Sequence, residues 1–246
     1  KEKTELTEEE LEEAKGQDKL SEGARTVTAS GNCGENGSGD VTWSLENRVL
    51  TISGNGEMMS GRTSSYPWYS HKEDIREVVI EKGVTSVGVG AFDGHSILKT
   101  VQIADSVKEI GESAFSGCDK LENVDLGNGV EIIGAYAFED CDNLEEIIIP
   151  DSVITLKIGS AYCSRTFSGC SNLKVVELGN GLTSIPAQTF YGCSSLERIE
   201  IPDNVTVIGS QAFGQCTLLR EAVIGDSVEE IGESAFWACT NLEKIN

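Results

Sequence analysis

Phenylalanine recurs along this chain at a nearly constant interval. Successive phenylalanines lie 23 residues apart, apart from one interval of 29: Phe92, Phe115, Phe138, Phe167, Phe190, Phe213 and Phe236. Six of the eight cysteines follow three residues after a phenylalanine, and His95 takes that position in the first repeat. Because a constant interval of this length is produced by stacking one structural unit many times, the sequence predicts a repeat protein.

Aliphatic residues mark the start of each repeat. Eight units are defined, the last of them partial, starting at Ile75, Leu98, Leu121, Leu144, Leu173, Leu196, Leu219 and Leu242. Their common pattern is L-x-x-V-x-I-x-x-x-V-x-x-I-G-x-x-A-F-x-G-C. The β-branched first part, as in Leu144–Pro150, predicts a short strand that ends in a turn. A second apolar group, such as Val130, Ile133, Ala137 and Phe138, predicts a short helical or irregular segment that returns the chain.

One such unit cannot bury both of its apolar groups, so neighbouring units must stack to form a core. A period of roughly 20 to 29 residues with leucines on the strand is typical of leucine-rich repeats. The predicted fold is therefore an α/β repeat, a leucine-rich-repeat solenoid of 23-residue units.

The repeats resemble a known bacterial family. The phrases LEEIIIPDSV, IGESAFSGC and IEKGVTSVGVGAF are similar to the BspA-type, or Treponema-type, leucine-rich repeats of bacterial surface proteins, and the resemblance covers residues 73–246. Residues 31–72 are similar to the segment that often precedes these repeats, which supplies a small β-rich N-terminal cap. The resemblance implies a secreted or surface-displayed binding or adhesion scaffold without catalytic residues.

Three regions are predicted. Residues 1–27 are an acidic flexible segment, residues 28–72 the β-rich cap, and residues 73–246 the solenoid. Within the first region, Thr7–Glu10 fits a capping box, and a partner-binding helix between Thr7 and Lys15 is the alternative. In the fourth unit, six extra residues around 157–165 are expected to bulge outward. Since the partial last unit ends on a bare strand, we also expect end-to-end contact there.

Charge and composition exclude several functions. With 19 Lys and Arg against 41 Asp and Glu, the net charge of −22 repels nucleic acid and anionic membranes. Since no run of 18 apolar residues occurs, we expect no membrane insertion. The cysteines lack the C-x-x-C spacing of zinc sites. The side chains of the six that follow the phenylalanines are expected to point the same way into the core, as free thiols, whereas the redox state of Cys33 and Cys163 is left open.

Catalytic and cofactor motifs are missing from the sequence. His71 and His95 are the only histidines, and both fit structural positions better than catalytic ones. Asp105, Asp151 and Asp226 recur in one turn column, where capping of turns is the commoner role and calcium binding the alternative. The sequence therefore predicts no enzyme activity and no cofactor.

The exposed face of the strands is the predicted binding surface. If the first, fourth and sixth residues of L-x-x-V-x-I face the core, the third and fifth face outward, on a sheet roughly 34 Å wide. The predicted ligand-binding residues come from the middle of this face: Glu146, Ile148, Val175, Glu177, Arg198 and Glu200. A protein or glycan ligand is expected. Tyr191 and Trp237, on another side of each unit, form an alternative aromatic site.

Two functions follow from these observations. The first is a non-enzymatic extracellular binding or adhesion scaffold, secreted or on the bacterial cell surface. The alternative is a structural spacer or assembly module within a larger surface protein. Mutations on the exposed strand face separate the two, because only the first function loses a ligand there.

Overall fold

The N-terminal part of the fold is a small antiparallel sheet. A computed structural model describes residues 28–37, 39–160 and 162–246, so the predicted helix between Thr7 and Lys15 lies outside the described residues. Three strands, β1 (Ala29–Asn32), β2 (Val41–Glu46) and β3 (Val49–Gly54), pair antiparallel in sequence order. The two-residue strand β4 (Gly56–Glu57) follows, and short 3₁₀ turns span Glu35–Gly37, Thr63–Ser65 and Tyr69–His71.

Each full repeat contributes two parallel strands, one to a main sheet and one to a second sheet. The main strands are β5 (Glu77–Ile80), β7 (Thr100–Ile103), β9 (Asn123–Asp125), β11 (Glu146–Ile149), β13 (Val175–Leu178), β15 (Arg198–Glu200), β17 (Glu221–Val223) and β19 (Lys244–Ile245). The second strands are β6 (Val84–Val87), β8 (Glu109–Ile110), β10 (Ile132–Ile133), β12 (Thr155–Leu156), β14 (Ser184–Ile185), β16 (Val207–Ile208) and β18 (Glu230–Ile231). Since β3 pairs with β5, and β4 with β6, the N-terminal strands continue both sheets.

The leucine-rich-repeat fold predicted from the sequence is confirmed. Side chains alternate along the main strands, so that in β11 Ile147 and Ile149 are buried whereas Glu146 and Ile148 are exposed. The division of the chain at residues 27 and 72 stays a prediction.

The return segment of each unit is irregular rather than helical. After each second strand the chain runs through turns to the phenylalanine, and no α-helix occurs in the described part of the chain. The residue two positions before the phenylalanine has a left-handed backbone, with φ of 53° at Ser113, 60° at Tyr136 and 59° at Gln188. Since a right-handed helix cannot pass through a residue with positive φ, this position prevents a helix in these units.

The phenylalanines form one continuous stack through the core. Ring centroids of neighbouring units lie 5.1–5.5 Å apart, and the ring planes differ by 9° or less. Trp68 extends the stack over Phe92 at 5.5 Å, and its indole N–H donates to the carbonyl of Ala91 at 3.1 Å. The segment around Trp68 is therefore joined to the repeats by the same packing that joins one unit to the next.

A ladder of thiol hydrogen bonds runs beside this stack. Each repeat cysteine donates from Sγ to the carbonyl of the phenylalanine one unit earlier, as in Cys193 to Phe167 at 3.2 Å and Cys216 to Phe190 at 3.3 Å. All eight cysteines are free, Cys33 and Cys163 included, so the prediction of free core thiols is confirmed. Burial raises the pKa of Cys118, Cys141 and Cys193, which keeps these three thiols protonated and unreactive.

Removing a ring from the middle of the stack is expected to destabilise the whole solenoid. Phe190→Ala opens a cavity shared with Phe167 and Phe213, and we expect a loss of about 3–5 kcal/mol in the free energy of unfolding. Phe236→Ala is the matched control, because Phe236 stacks on Phe213 alone among the described rings and is half-buried. Urea denaturation measures both, and equal losses would contradict the stack as the main stabilising element.

His95 replaces the cysteine of this ladder and makes stability depend on pH. Its ring is fully buried, and its Nε2 atom has no hydrogen-bond partner among the described residues. Burial lowers the pKa of His95 to about 4, opposed by the carbonyls of Asp93 and Phe92 and reinforced by the charge of Lys72. An unfolded histidine titrates near pH ~6.5, so the unfolded chain binds the extra proton and stability falls as the pH drops from there toward 4.

His95→Cys, which restores the repeat residue, is expected to remove this dependence. From pH 7 to pH 4, the natural protein should lose roughly 3 kcal/mol more of its unfolding free energy than the variant does. Denaturant titrations at both pH values measure the difference. Parallel losses in the two proteins would show that folding does not lower the pKa of His95.

Candidate binding surface

The six predicted site residues lie together on the outer face of the main sheet. Strands β11, β13 and β15 each contribute two, and all six side chains are exposed. In the β11–β13 ladder, Glu146 lies beside Val175 and Ile148 lies beside Glu177. Apolar and acidic side chains therefore alternate in both directions, and each apolar group has carboxylates as its nearest outward neighbours.

Two aliphatic side chains on this face are strongly exposed. Ile148 retains 52 % of its accessible surface and Val175 retains 43 %. The corresponding outward positions on β7 and β9 carry polar residues, such as Gln102 and Asp125. Units four and five therefore present an apolar surface that these two earlier units lack.

The charges on this face differ in whether they are already paired. Arg198 donates from Nη2 to Glu200 at 3.0 Å and from Nε to Glu221 at 3.1 Å. The bonds donated by Lys244 and Arg198 lower the pKa of Glu221, and the bonds that Arg198 donates to Glu200 and Glu221 raise the pKa of Arg198. Within the described residues, the carboxylate of Glu177 has no ion pair.

The main sheet is interrupted on both sides of the β11–β13 pair. Strands β9 and β11 are adjacent, as are β13 and β15, yet no hydrogen-bonded ladder joins either pair. The second sheet is interrupted between β12 and β14, where the insertion at 157–165 lies and where Tyr162 is 89 % exposed. All three interruptions therefore involve the two units that the insertion connects.

The interruption between β13 and β15 coincides with the absence, in the described structure, of a backbone hydrogen bond that other neighbouring units form. Arg220 donates its N–H to the carbonyl of Glu197 at 2.8 Å, and Lys174 donates in the same way to Glu145 at 2.8 Å. In the described structure, Glu197 makes no equivalent bond to Lys174. The strands are consequently less tightly closed here, and Val176 keeps 8 % of its surface where Ile199 keeps 1 %.

Two shallow depressions result from this opening. The first, about 430 Å³, lies between β13 and β15. Its lining is Lys174, Val175, Val176, Glu177, Leu178, Arg198 and Glu200. The second, about 400 Å³, lies at the ends of β11 and β13 and includes Ile148, Pro150 and Glu177 in its lining. Glu177 and Leu178 line both depressions, so the two adjoin at β13. We call the joined feature the β13 groove.

The sequence did not indicate this groove. Val176 and Leu178 occupy the same pattern positions as Ile199 and Ile201, which are closed. The six-residue insertion in unit four was the one signal that pointed to this part of the chain.

The other candidate residues have structural roles. The carboxylate of Asp105 accepts the N–H of Asn128 at 2.6 Å, and that of Asp151 accepts the N–H of Asn180 at 2.7 Å, so this column caps turns of the next unit. No group of three or more potential metal ligands occurs in the described ranges. Nδ1 of His71 lies 3.7 Å from Oδ2 of Asp74, and the His71 ring lies beside the ring of Trp43, with centroids 6.4 Å apart.

The alternative aromatic site contains two separated side chains. Trp237 is 49 % exposed, whereas Tyr191 is half-buried and packs against Gly214. They belong to units five and seven, and neither of them lines either depression of the β13 groove. Their role in binding is untested.

The comparisons with known proteins establish the family. The model of the BspA type leucine rich repeat region matches residues 64–165 and 161–246, with six copies. The chain therefore belongs to the BspA-type leucine-rich repeat family, as the sequence resemblance predicted.

A solved structure with a TM-score above 0.5 agrees at the level of the fold. A leucine-rich repeat protein of Treponema pallidum is 24% identical and superposes with a TM-score of 0.62, covering 85% of this chain and 90% of that one. A leucine-rich cell surface protein of Faecalibacterium prausnitzii is 21% identical, with a TM-score of 0.37 and coverage of 85% and 93%. The sequence matches no protein among those whose functions have been curated. Within the described residues, the helical segments are short 3₁₀ turns, and none of them is long and apolar enough to cross a membrane.

Proposed function

We propose that this protein is an extracellular binding scaffold of a bacterium, secreted or displayed on the cell surface, and that it binds a macromolecular ligand through the outer face of β11, β13 and β15. The observation that carries this proposal is the exposed pair Ile148 and Val175 within a rim of charged side chains. An apolar centre with a charged rim is the usual construction of a binding patch. A cell surface protein among the structurally similar proteins is in keeping with the location.

Catalysis is not part of this proposal. His95 is fully buried, and the Cys118 thiol is held protonated because burial raises its pKa. Members of this family that resemble the chain are repeat proteins, so a scaffold that presents a surface is the simplest role for it.

Assembly is a second candidate function. In the last units, Ile231, Trp237 and Ile245 are each about half-exposed. Contact of these side chains with another domain or copy would make the chain an assembly module. Mutations near Ile245 test that role, and mutations on β11 and β13 do not affect it.

Binding through the sheet face is tested by a paired substitution. We expect Ile148→Arg combined with Val175→Glu to weaken binding of a partner found among host matrix proteins, mucins and glycans by at least tenfold, about 1.4 kcal/mol. The melting temperature should hardly change, because both side chains are exposed. Surface plasmon resonance measures the affinity.

The matched control changes the aromatic residues. Tyr191→Ala combined with Trp237→Ala should leave the affinity within twofold of the natural value. If the aromatic pair abolishes binding and the sheet pair does not, the ligand binds a different side of the solenoid.

A further inference from the structure

The β13 groove has a chemistry that distinguishes between classes of ligand. Its first depression lies between β13 and β15 and its second at the ends of β11 and β13, so an extended chain that occupies both passes Glu177. Its floor is formed by core residues that the interrupted ladder partly exposes, Val176 and Leu178. The rim is apolar at Val175 and Ile148, which lie on a diagonal across two strands. Such a surface favours a ligand with its own aliphatic side chains.

The charge of the groove calls for a cationic partner. Glu177 lines both depressions, is exposed, and has no ion pair among the described residues. Arg198, the one arginine of the groove lining, already donates hydrogen bonds to Glu200 and Glu221, so its charge is largely neutralised by these two carboxylates. A ligand that places a positive charge near Glu177 gains the complement that the protein itself does not provide.

Two other ligand classes fit less well. Sugar rings stack on aromatic side chains, and none lines either depression. Nucleic acid and other polyanions are repelled by the unpaired carboxylate and by the net charge of −22. Lysine and arginine next to aliphatic residues, by contrast, are ordinary constituents of a polypeptide.

We propose that the β13 groove binds an extended polypeptide segment of a partner protein in which a lysine or arginine lies next to an aliphatic residue. The cation pairs with Glu177, and the aliphatic side chain packs on Val175 and Ile148. This inference rests on the proposed function, since it names the ligand class for the same face. It adds the peptide character of the ligand and the central role of Glu177.

Selection from a displayed library of random twelve-residue peptides tests the proposal. The immobilised full chain is the target, and Glu177→Lys is the protein used for counter-selection. Glu229→Lys is the matched control, because Glu229 is also exposed but belongs to the turn before β18, outside the groove, and the net charge of the two variants is the same. We expect the enriched peptides to contain lysine or arginine beside an aliphatic residue.

Synthetic versions of the enriched peptides sharpen the test. Their dissociation constants should rise at least tenfold on Glu177→Lys and less than twofold on Glu229→Lys. Replacing the peptide cation by glutamate should abolish binding to the natural protein and restore it on Glu177→Lys. This reciprocal rescue also shows that the variant is folded.

The outcomes separate this inference from the proposed function. Peptides that lose affinity on the Ile148→Arg and Val175→Glu protein but tolerate glutamine in place of their cation contradict the inference alone. A glycan that binds the sheet face with the same sensitivity, or failure to enrich any peptide over the counter-selection, contradicts it as well. Ligands that are indifferent to both sheet substitutions contradict the proposed function too.

Discussion

Stacking of one repeat on the next is the interaction on which this structure depends. A single unit has a strand, a short second strand and a phenylalanine turn, and none of these encloses a core by itself. Phe190 is fully buried because rings from the units before and after cover its two faces. Since the inward positions are committed to this stack, recognition is left to the outward strand positions and to the insertion.

The outward positions are also where the charges are balanced. Lysines bridge to acids of neighbouring units, as in Lys99 with Glu122 at 3.3 Å and Lys108 with Glu131 at 2.9 Å. Exposed pairs of this kind contribute little to stability, about 0–1 kcal/mol each. They nevertheless occupy the few cations of a strongly acidic chain, and Glu177 has no ion pair within the described residues, on the face that also exposes Ile148 and Val175.

Much of the fold was predictable because the core positions repeat. The phenylalanine and cysteine columns gave the stack and the free thiols, and the alternation along the strands placed Glu146, Ile148 and their neighbours on one face. The left-handed turn before most of the phenylalanines was not predictable. Glycine holds this conformation in the first unit, at Gly90, whereas residues such as Tyr136 and Gln188 hold it in later units.

The groove was hidden from the sequence for a related reason. Whether two strands form a ladder depends on their exact separation, which the pattern of side chains does not encode. Val176 on β13 and Ile199 on β15 are equivalent in the pattern. Strand β15 nevertheless forms a ladder with the main strand of the following unit, through Ile199 and Ala222, whereas β13 forms none with β15. The ion pairs of Arg198 likewise depend on geometry, because Glu200 lies on its own strand and Glu221 lies on β17.

Amide hydrogen exchange of the unbound protein tests the opening between β13 and β15 most directly. The account predicts that the amide of Glu197 exchanges much faster than that of Arg220, although the two occupy the same position in consecutive units, because only Arg220 is hydrogen-bonded to the preceding strand. Equal and strong protection of the two amides would show that the ladder continues across β13 and β15, and it would contradict the groove.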